Sequence, residues 1–160
     1  MKPISPTAQK VQDLLNSLGG SYQVIEFAES THTAQEAADR VGCKLAQIVK
    51  SLIFKAVPSN AGILVLASGI NRVDEKKVGA YLGETIARAD PDFVRSVTGF
   101  AIGGVPPVGH SQPMRAFVDE ELMKHPTVWA AAGTPNTVFE LSPADLVRLT
   151  GGTIADVRSN

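Results

Sequence analysis

The chain has little of the chemistry that most readily identifies a class of protein. A single cysteine, Cys43, excludes an intrachain disulfide framework and is typical of a reducing compartment. No run of about eighteen apolar residues is present, so we expect no membrane-spanning helix and no membrane partner. The first residues, Met-Lys-Pro-Ile-Ser-Pro, lack the apolar core of a signal peptide, so we expect a cytoplasmic protein.

Several motifs of catalytic and metal sites are also missing. The sequence has neither a Gly-x-Ser-x-Gly elbow nor a Gly-Lys-Ser/Thr loop, which argues against a serine nucleophile of that type and against NTP hydrolysis. It has no Cys-x-x-Cys or His-x-x-x-His pair, so we predict neither a metal nor another cofactor. A formal net charge of −1 argues against bulk electrostatic binding of nucleic acid. Arg72, Lys76 and Lys77 could still form a local basic patch that contacts phosphate. The favoured alternative is that they lie on a solvated helix face.

What is present indicates a globular domain. With 160 residues, of which 44% are hydrophobic and 19% charged, the chain is predicted to form a single domain over residues 1–160. Helix starts are predicted at Ser5-Pro6, Thr33 with Glu36, Asp74, Asp90-Pro91 and Ser142-Pro143, and each helix is predicted to end at a glycine. A helical turn is predicted to begin at Asp119 and to stop at Pro126. Strands are predicted at Tyr22–Phe27, Ile48–Val57, Ile63–Ala67, Ile86–Arg88, Phe100–Ile102, Arg115–Val118, Val128–Ala132, Thr137–Leu141 and Thr153–Val157. Because strands outnumber helices and short turns join several neighbours, we predict an α+β fold with a mixed, curled sheet and helices packed outside it.

The most unusual stretch is residues 98–110, Thr-Gly-Phe-Ala-Ile-Gly-Gly-Val-Pro-Pro-Val-Gly-His. Three glycines and two prolines fall within the seven residues 103–109, which allows close approach to a ligand in a rigid turn. The backbone N–H groups of such a loop could cradle a carbonyl, an oxyanion or a phosphate. From the loop alone, a tight connection that breaks a sheet edge is the favoured interpretation.

Lys50 is the most conspicuous charge, because a strand over Ile48–Val57 places apolar residues on both of its faces. A lysine directed into the core needs a partner or a task that offsets the loss of hydration. The alternative is that Lys50 lies at the entry of the strand and extends its ammonium to water. Spacing alone slightly favours this alternative.

The histidines and the cysteine are weaker candidates. His110 follows the glycine-rich loop and could act as a base or ligand, although a surface or hydrogen-bonding role is favoured. His32 either precedes a helix or lines a pocket, and His125 is interpreted as structural. Cys43 has no activating partner in the sequence, so we interpret it as a packing or capping residue.

Three segments together resemble one family. They are Ile48–Ile53, Ser96–Gly109, and Ala132-Gly133 with Phe139–Leu146. In these segments the chain resembles the YbaK/ProX-type aminoacyl-tRNA deacylases, which are related to the editing insertion of bacterial prolyl-tRNA synthetases. The resemblance runs from about Tyr22 to the end of the sequence, and the combination of the lysine strand with the glycine-rich loop makes it specific.

The resemblance implies a mixed, curled, β-barrel-like sheet surrounded by helices. It also implies hydrolysis of amino acids wrongly attached to tRNA, usually the tRNA for proline, with prolyl-tRNA synthetase as a further partner. It assigns the essential lysine to Lys50 and places an aromatic position, often tyrosine in relatives, at Phe27. Cysteine-selective members usually carry Ser-Pro after Gly-Gly-x. Pro106-Pro107 here therefore favours alanine or another small residue over cysteine.

An aminoacyl ester is already labile, so positioning a water and stabilising the oxyanion could suffice, with one backbone donor contributing roughly 3 kcal/mol. We hypothesise that N–H groups around Gly103 and Gly104 form the oxyanion hole. Lys50 would hold the ester or the terminal ribose-phosphate, and His110 would orient the water. The expected substrate-binding residues are Phe27, His32, Ser51, Ser68, Val105, Pro106, Pro107, Gly109 and Gly133.

Two other functions remain open at this stage. A non-catalytic tRNA- or synthetase-associated binding module could share the fold, although such a binder would not need a lysine on an apolar strand. A small-molecule-sensing pocket protein has no feature of its own in its favour. A deacylation assay distinguishes the first alternative from the enzyme.

Overall fold

The computed structural model describes residues 4–29, 31 and 33–159. Within them the chain forms five α-helices and eight β-strands, and the strands belong to two sheets. The elements are α1 Pro6–Ser17, β1 Ile25–Glu26, α2 Ala34–Val41, β2 Val49–Val57, β3 Gly62–Ser68, α3 Glu75–Leu82, β4 Thr85–Arg88, α4 Pro91–Thr98, β5 Arg115–Asp119, β6 Val128–Ala131, β7 Thr137–Leu141, α5 Pro143–Thr150 and β8 Thr153–Ala155. Short 3₁₀ turns lie at Leu45–Gln47 and Glu120–Lys124.

The larger sheet is mixed. Its strand order is β4-β2-β3-β5-β8, with β2 antiparallel to both neighbours and with the β3–β5 and β5–β8 pairs parallel. The smaller sheet, of order β1-β7-β6, is antiparallel throughout. The predicted α+β class with a mixed, curled sheet is confirmed, although the described strands form two sheets and no closed barrel.

Local capping signals set the helix boundaries. The side chain of Thr33 accepts a hydrogen bond from the Glu36 N–H at 3.1 Å, and Ser142 does the same for the Asp145 N–H at 3.1 Å. Helices α2 to α5 are each followed by a glycine, as predicted. No helix in the described part of the chain is long and apolar enough to cross a bilayer.

The two faces of β2 pack into different clusters, because successive side chains of a strand alternate. Val49 and Ile53 join the large core that also contains Ala130 and Phe139 of the smaller sheet. Phe54 and its neighbours on the other face belong to a second cluster between the larger sheet and α3. Strand β2 therefore lies between two cores, and its register determines which way Lys50 points.

Two strand predictions need correction. Residues 100–102 form a turn instead of a strand, because their polar groups bond locally. The Phe100 N–H donates to Thr98 Oγ1 at 3.0 Å, and the Gly104 N–H donates to the Ala101 carbonyl at 3.0 Å. The strand predicted over Tyr22–Phe27 shortens to Ile25–Glu26, where the chain pairs with β7.

Candidate active site

A cavity of about 520 Å³ lies along the edge of β2 that faces away from β3. Strand β4 pairs with β2 only from Phe54 to Val57, and an isolated bridge between Ile48 and Trp129 brings β6 to the other end of this edge. The cavity occupies the interval between β4 and β6. The smaller sheet, the start of α2 and the loop after α4 form its walls.

The cavity wall is mainly apolar, with a few polar groups. Apolar side chains that line it include Ala34, Ala37, Ile48, Val94, Ala131 and Val138. Of the residues predicted for the site, those that line it are Lys50, Ser51, Gly103 and Val105. The fold thus brings the lysine strand and the glycine-rich loop to one cavity.

Lys50 is held by the protein instead of extending freely into water. Its side chain is half-buried, and its Nζ donates a hydrogen bond of 2.5 Å to the backbone carbonyl of Asn71. Burial lowers the pKa of Lys50, the negative charge of Asp119 counteracts this, and the positive charge of Arg72 lowers the pKa further. The result is a cation with a fixed position and reduced hydration beside an apolar cavity.

Two residues that sequence reasoning missed complete this arrangement. Asn71 and Asp119 are 3% and 1% exposed, and Asn71 Nδ2 donates to Asp119 Oδ2 at 2.8 Å. The available signal was Asp119, an aspartate at the end of an apolar strand. From the sequence this aspartate is predicted to start a helical turn. That role is also real, because Asp119 Oδ1 accepts the Glu121 N–H at 2.9 Å.

Ser68 is part of the same buried network and does not line the cavity. Its N–H donates to Asp119 Oδ2 at 3.0 Å and its hydroxyl donates to the Ala46 carbonyl at 2.7 Å. Both contacts join the end of β3 to neighbouring segments. The structure therefore gives Ser68 a framework role, and a direct contact with substrate stays a prediction.

Ser51, unlike Ser68, lines the cavity. Its Oγ is buried and has no hydrogen-bond partner among the described residues. Buried polar atoms are normally paired, so this hydroxyl needs an explanation. Because Ser51 lies next to Lys50 on the cavity wall, a bound ligand can supply the missing hydrogen-bond partner.

The two central glycines of the loop differ in their surroundings. Gly103 lines the cavity with a backbone φ of +90°, a conformation that favours glycine. The N–H of Gly104 is already used in the turn to Ala101, and a Cβ at Gly104 would lie 2.7 Å from the Cα of Thr134. Of the pair predicted as an oxyanion hole, Gly103 therefore faces the cavity and Gly104 lets two loops pack closely.

His110 forms a hydrogen bond within the glycine-rich loop. Its Nε2 lies 2.7 Å from the carbonyl oxygen of Pro106, and because a carbonyl only accepts, Nε2 must carry the hydrogen. Burial lowers the pKa of His110, and the hydrogen bond to Pro106 partly counteracts this. The neutral ring holds the buried Pro106-Pro107 segment in place, and His110 does not line the cavity.

None of the other described residues predicted for the site lines the cavity. The Arg40 guanidinium carbon lies 5.7 Å from the centroid of the Phe27 ring. Gly109 and Gly133 allow the glycine-rich loop and the β6–β7 turn to pack against helix α1, where Cβ atoms would lie 3.0 Å and 3.1 Å from α1 side chains. The prediction for His32 lies outside the described residues.

This geometry suits a carbonyl substrate with an apolar group. A fixed cation can attract a carbonyl oxygen, an oxyanion or a phosphate, and the apolar wall can receive a small side chain. Among the described residues no three His, Cys, Asp or Glu side chains form a group that could hold a metal ion.

Comparisons with known proteins identify relatives of this chain. The model of the aminoacyl-tRNA editing domain family matches residues 28–149. The crystal structure of a candidate trans-editing enzyme for prolyl tRNA synthetase is 46% identical, with a TM-score of 0.94 over 99% of this chain and 100% of the other.

Two curated relatives are similar over most of their length. The uncharacterized protein YwhH of Bacillus subtilis (strain 168) is 35% identical over 123 residues, which cover 77% of this chain and 78% of YwhH. EbsC of Enterococcus faecalis (strain ATCC 700802 / V583), named as a candidate Cys-tRNA(Pro)/Cys-tRNA(Cys) deacylase, is 25% identical over 140 residues, which cover 85% of this chain and 84% of EbsC. The family resemblance predicted from the sequence is confirmed. The chain belongs to the aminoacyl-tRNA editing domain family.

Proposed function

We propose that this protein is a trans-acting deacylase that hydrolyses the ester of a mischarged tRNA. The proposed substrate is tRNA for proline carrying alanine, cysteine or another small amino acid. The observation that carries the proposal is the Lys50 ammonium, fixed beside an apolar cavity that Gly103 also lines. Family membership and the printed descriptions of the trans-editing and deacylase relatives support the same reaction.

In this reaction a water oxygen attacks the ester carbonyl carbon and forms a tetrahedral oxyanion. The bond to the ribose oxygen of the terminal adenosine then breaks, the leaving oxygen takes up a proton, and the free amino acid departs. Lys50 binds the carbonyl oxygen or the adjacent phosphate, and the backbone at Gly103 faces the developing oxyanion. Removing one such donor costs about 3 kcal/mol in known oxyanion holes, so a few fixed donors can supply substantial catalysis.

The apolar wall suits an apolar aminoacyl side chain. A cavity can reject larger side chains sterically, whereas discrimination by binding alone is limited to about 1–3 kcal/mol per methylene. Pro106 and Pro107 are buried within the loop, at the position where, by the family resemblance, cysteine-selective members usually carry Ser-Pro. This replacement supports alanine or another small residue as the preferred group over cysteine.

The test is a deacylation assay with alanyl- and cysteinyl-tRNA for proline, followed by other mischarged tRNAs. We expect hydrolysis above the buffer rate, and we expect Lys50→Ala to lower kcat/KM by about 100-fold or more. Lys55→Ala is the matched control, since Lys55 lies on the same strand with its Nζ 5.1 Å from the centroid of the Phe93 ring. We expect this control to keep near-normal activity.

The outcome also separates the deacylase from a binding module. If the protein binds these tRNAs but hydrolyses none of them, it is a non-catalytic tRNA-binding module. If Lys50→Ala is as active as the unsubstituted protein, the role of Lys50 is wrong even though the enzyme stands.

A further inference from the structure

A short series of hydrogen bonds connects Lys50 to a buried carboxylate. Lys50 Nζ donates to the Asn71 carbonyl at 2.5 Å, and Asn71 Nδ2 donates to Asp119 Oδ2 at 2.8 Å. The contact with Lys50 uses the backbone carbonyl of Asn71, and the side chain of the same residue donates to Asp119. The three residues lie on β2, on the turn after β3 and at the end of β5.

The carboxylate of Asp119 is itself firmly oriented. Its Oδ2 also accepts the Ser68 N–H at 3.0 Å, and its Oδ1 accepts the Glu121 N–H at 2.9 Å. Together with Asn71 Nδ2, these donors fix the carboxylate at a site that is 1% exposed. A buried charge with little hydration acts on its neighbours more strongly than a surface charge does.

We propose that Asp119, acting through Asn71, is a positioning residue that holds the Lys50 ammonium at the cavity and keeps it charged there. The proposal rests on the proposed deacylase function, in which Lys50 contacts the substrate. Asp119 itself does not line the cavity and touches no reacting atom.

The charges around Lys50 predict what happens when Asp119 is neutralised. Burial and the charge of Arg72 lower the pKa of Lys50, and Asp119 is the carboxylate that raises it. Without the negative charge of Asp119, both lowering influences act unopposed. Lys50 then loses its proton at a lower pH, and the catalytic cation disappears earlier as pH rises.

The test is Asp119→Asn, which removes the charge and nearly keeps the shape. We would titrate the lysine side chains by NMR in the complete chain, assigning the Lys50 signal with Lys50→Arg. The expected result is a fall in the pKa of Lys50 relative to the unsubstituted protein, because the charge that raises this pKa is gone. The pH at which kcat for deacylation declines on the alkaline side should move down by a similar amount.

Asp74→Asn is the matched control. Asp74 Oδ1 accepts the Lys76 and Lys77 N–H groups at the start of α3, so the substitution also removes a capping carboxylate. Its effect should be confined to stability, with the Lys50 titration unchanged. An equal shift of the Lys50 pKa in both variants would mean that a general loosening of the fold, and not the loss of the Asp119 charge, changes this pKa.

Asn71→Ala provides a second, independent variant, since it keeps the Asp119 charge and removes the hydrogen bond that the Asn71 side chain donates to it. We expect kcat to fall about 10-fold or more while KM stays within about twofold. An unshifted Lys50 titration in Asp119→Asn overturns the proposal. If that variant does not fold, an unchanged kcat in Asn71→Ala overturns it, and failure of both variants to fold assigns these residues a structural role alone.

The two proposals fail in different ways. If Lys50 titrates as expected but no mischarged tRNA is hydrolysed, the positioning network stands and the deacylase function is wrong. If deacylation is observed and the Lys50 titration does not respond to Asp119, the function stands without this network.

Discussion

At the scale of the residue, Lys50 keeps a charge at a place where burial opposes it. The folded chain lowers the pKa of Lys50 below the ordinary value of 10.5 for a lysine. At pH values between the lowered pKa and 10.5, the unfolded chain binds more protons than the folded chain does. The charged Lys50 therefore destabilises the folded state fully at neutral pH, and less as the pH rises through this range. A catalytic requirement would explain why a destabilising group occupies this position.

We therefore expect Lys50→Met to raise the free energy of unfolding at pH 7 while it removes deacylation. The gain should be at most about 1 kcal/mol, because partial solvent contact and the bond to Asn71 reduce the cost of burial. Urea unfolding at pH 7 and pH 10 measures it, and the gain should be smaller at pH 10. Lys55→Met on the same strand should give no gain, and a loss of stability in Lys50→Met would show that the ammonium is a net stabilising group.

Two serines on neighbouring strands allow a second residue-scale prediction. Ser51 Oγ is buried without a partner among the described residues, whereas Ser68 Oγ donates to the Ala46 carbonyl. Ser51→Ala should leave stability unchanged or raise it by up to about 1 kcal/mol, while Ser68→Ala should lower it by about 1 kcal/mol. Thermal unfolding measures both.

Activity separates the two serines further. If the Ser51 hydroxyl meets the substrate, Ser51→Ala lowers kcat/KM without a loss of stability. A clear destabilisation by Ser51→Ala would instead mean that its hydroxyl contributes to the unliganded fold.

At the scale of the element, the loop after α4 should respond to one methyl group at Gly103. This residue has a φ of +90°, and a Cβ built there meets no atom within 4 Å, so alanine is disfavoured by backbone conformation alone. Gly83, after α3, has a φ of +86° and equally open space, which makes it a matched control away from the cavity. We expect Gly103→Ala and Gly83→Ala each to cost about 1 kcal/mol or more in stability.

Only Gly103→Ala should also impair deacylation, because it moves the backbone that lines the cavity. Measuring kcat/KM for both variants at a temperature where both are folded makes the comparison. Equal activities would show that the loop does not contribute its backbone to the reaction.

The elements themselves could be predicted where their signals are local. Thr33 and Ser142 cap helices because each side chain bonds an N–H three residues ahead, and this pattern is visible in the sequence. The predicted strand at Phe100–Ile102 is wrong because a strand needs a partner, and here the N–H of Phe100 bonds to the Thr98 side chain instead. Local hydrophobicity does not reveal whether a partner strand is available.

At the scale of the whole molecule, the candidate site is built from contacts between distant parts of the chain. Lys50 and Asn71 are 21 residues apart, and Asn71 and Asp119 are 48 apart. Lys50 and the loop could be singled out by composition and then joined by the family resemblance. The residues that hold Lys50 could not, because buried asparagine and aspartate carry no local pattern, and only the sheet order brings them together.

The single-domain prediction over residues 1–160 can be tested through the one tryptophan of the chain. Trp129 lies on β6 of the smaller sheet, forms a bridge with Ile48 next to β2, and lines the cavity. The large core contains Phe139 of the smaller sheet together with Leu64 and Leu66 of the larger one, so neither sheet can unfold without exposing the apolar surface of the other.

Thermal unfolding followed by Trp129 fluorescence and by far-ultraviolet circular dichroism should therefore give coincident, cooperative transitions. Fluorescence reports the junction of the two sheets, while circular dichroism reports the helices and strands of the whole chain. A fluorescence transition at clearly lower temperature would show that the smaller sheet opens first, so the single-domain prediction would be wrong. The cavity wall would then belong to a unit that opens locally, and deacylation should decline with the fluorescence transition and not with global unfolding.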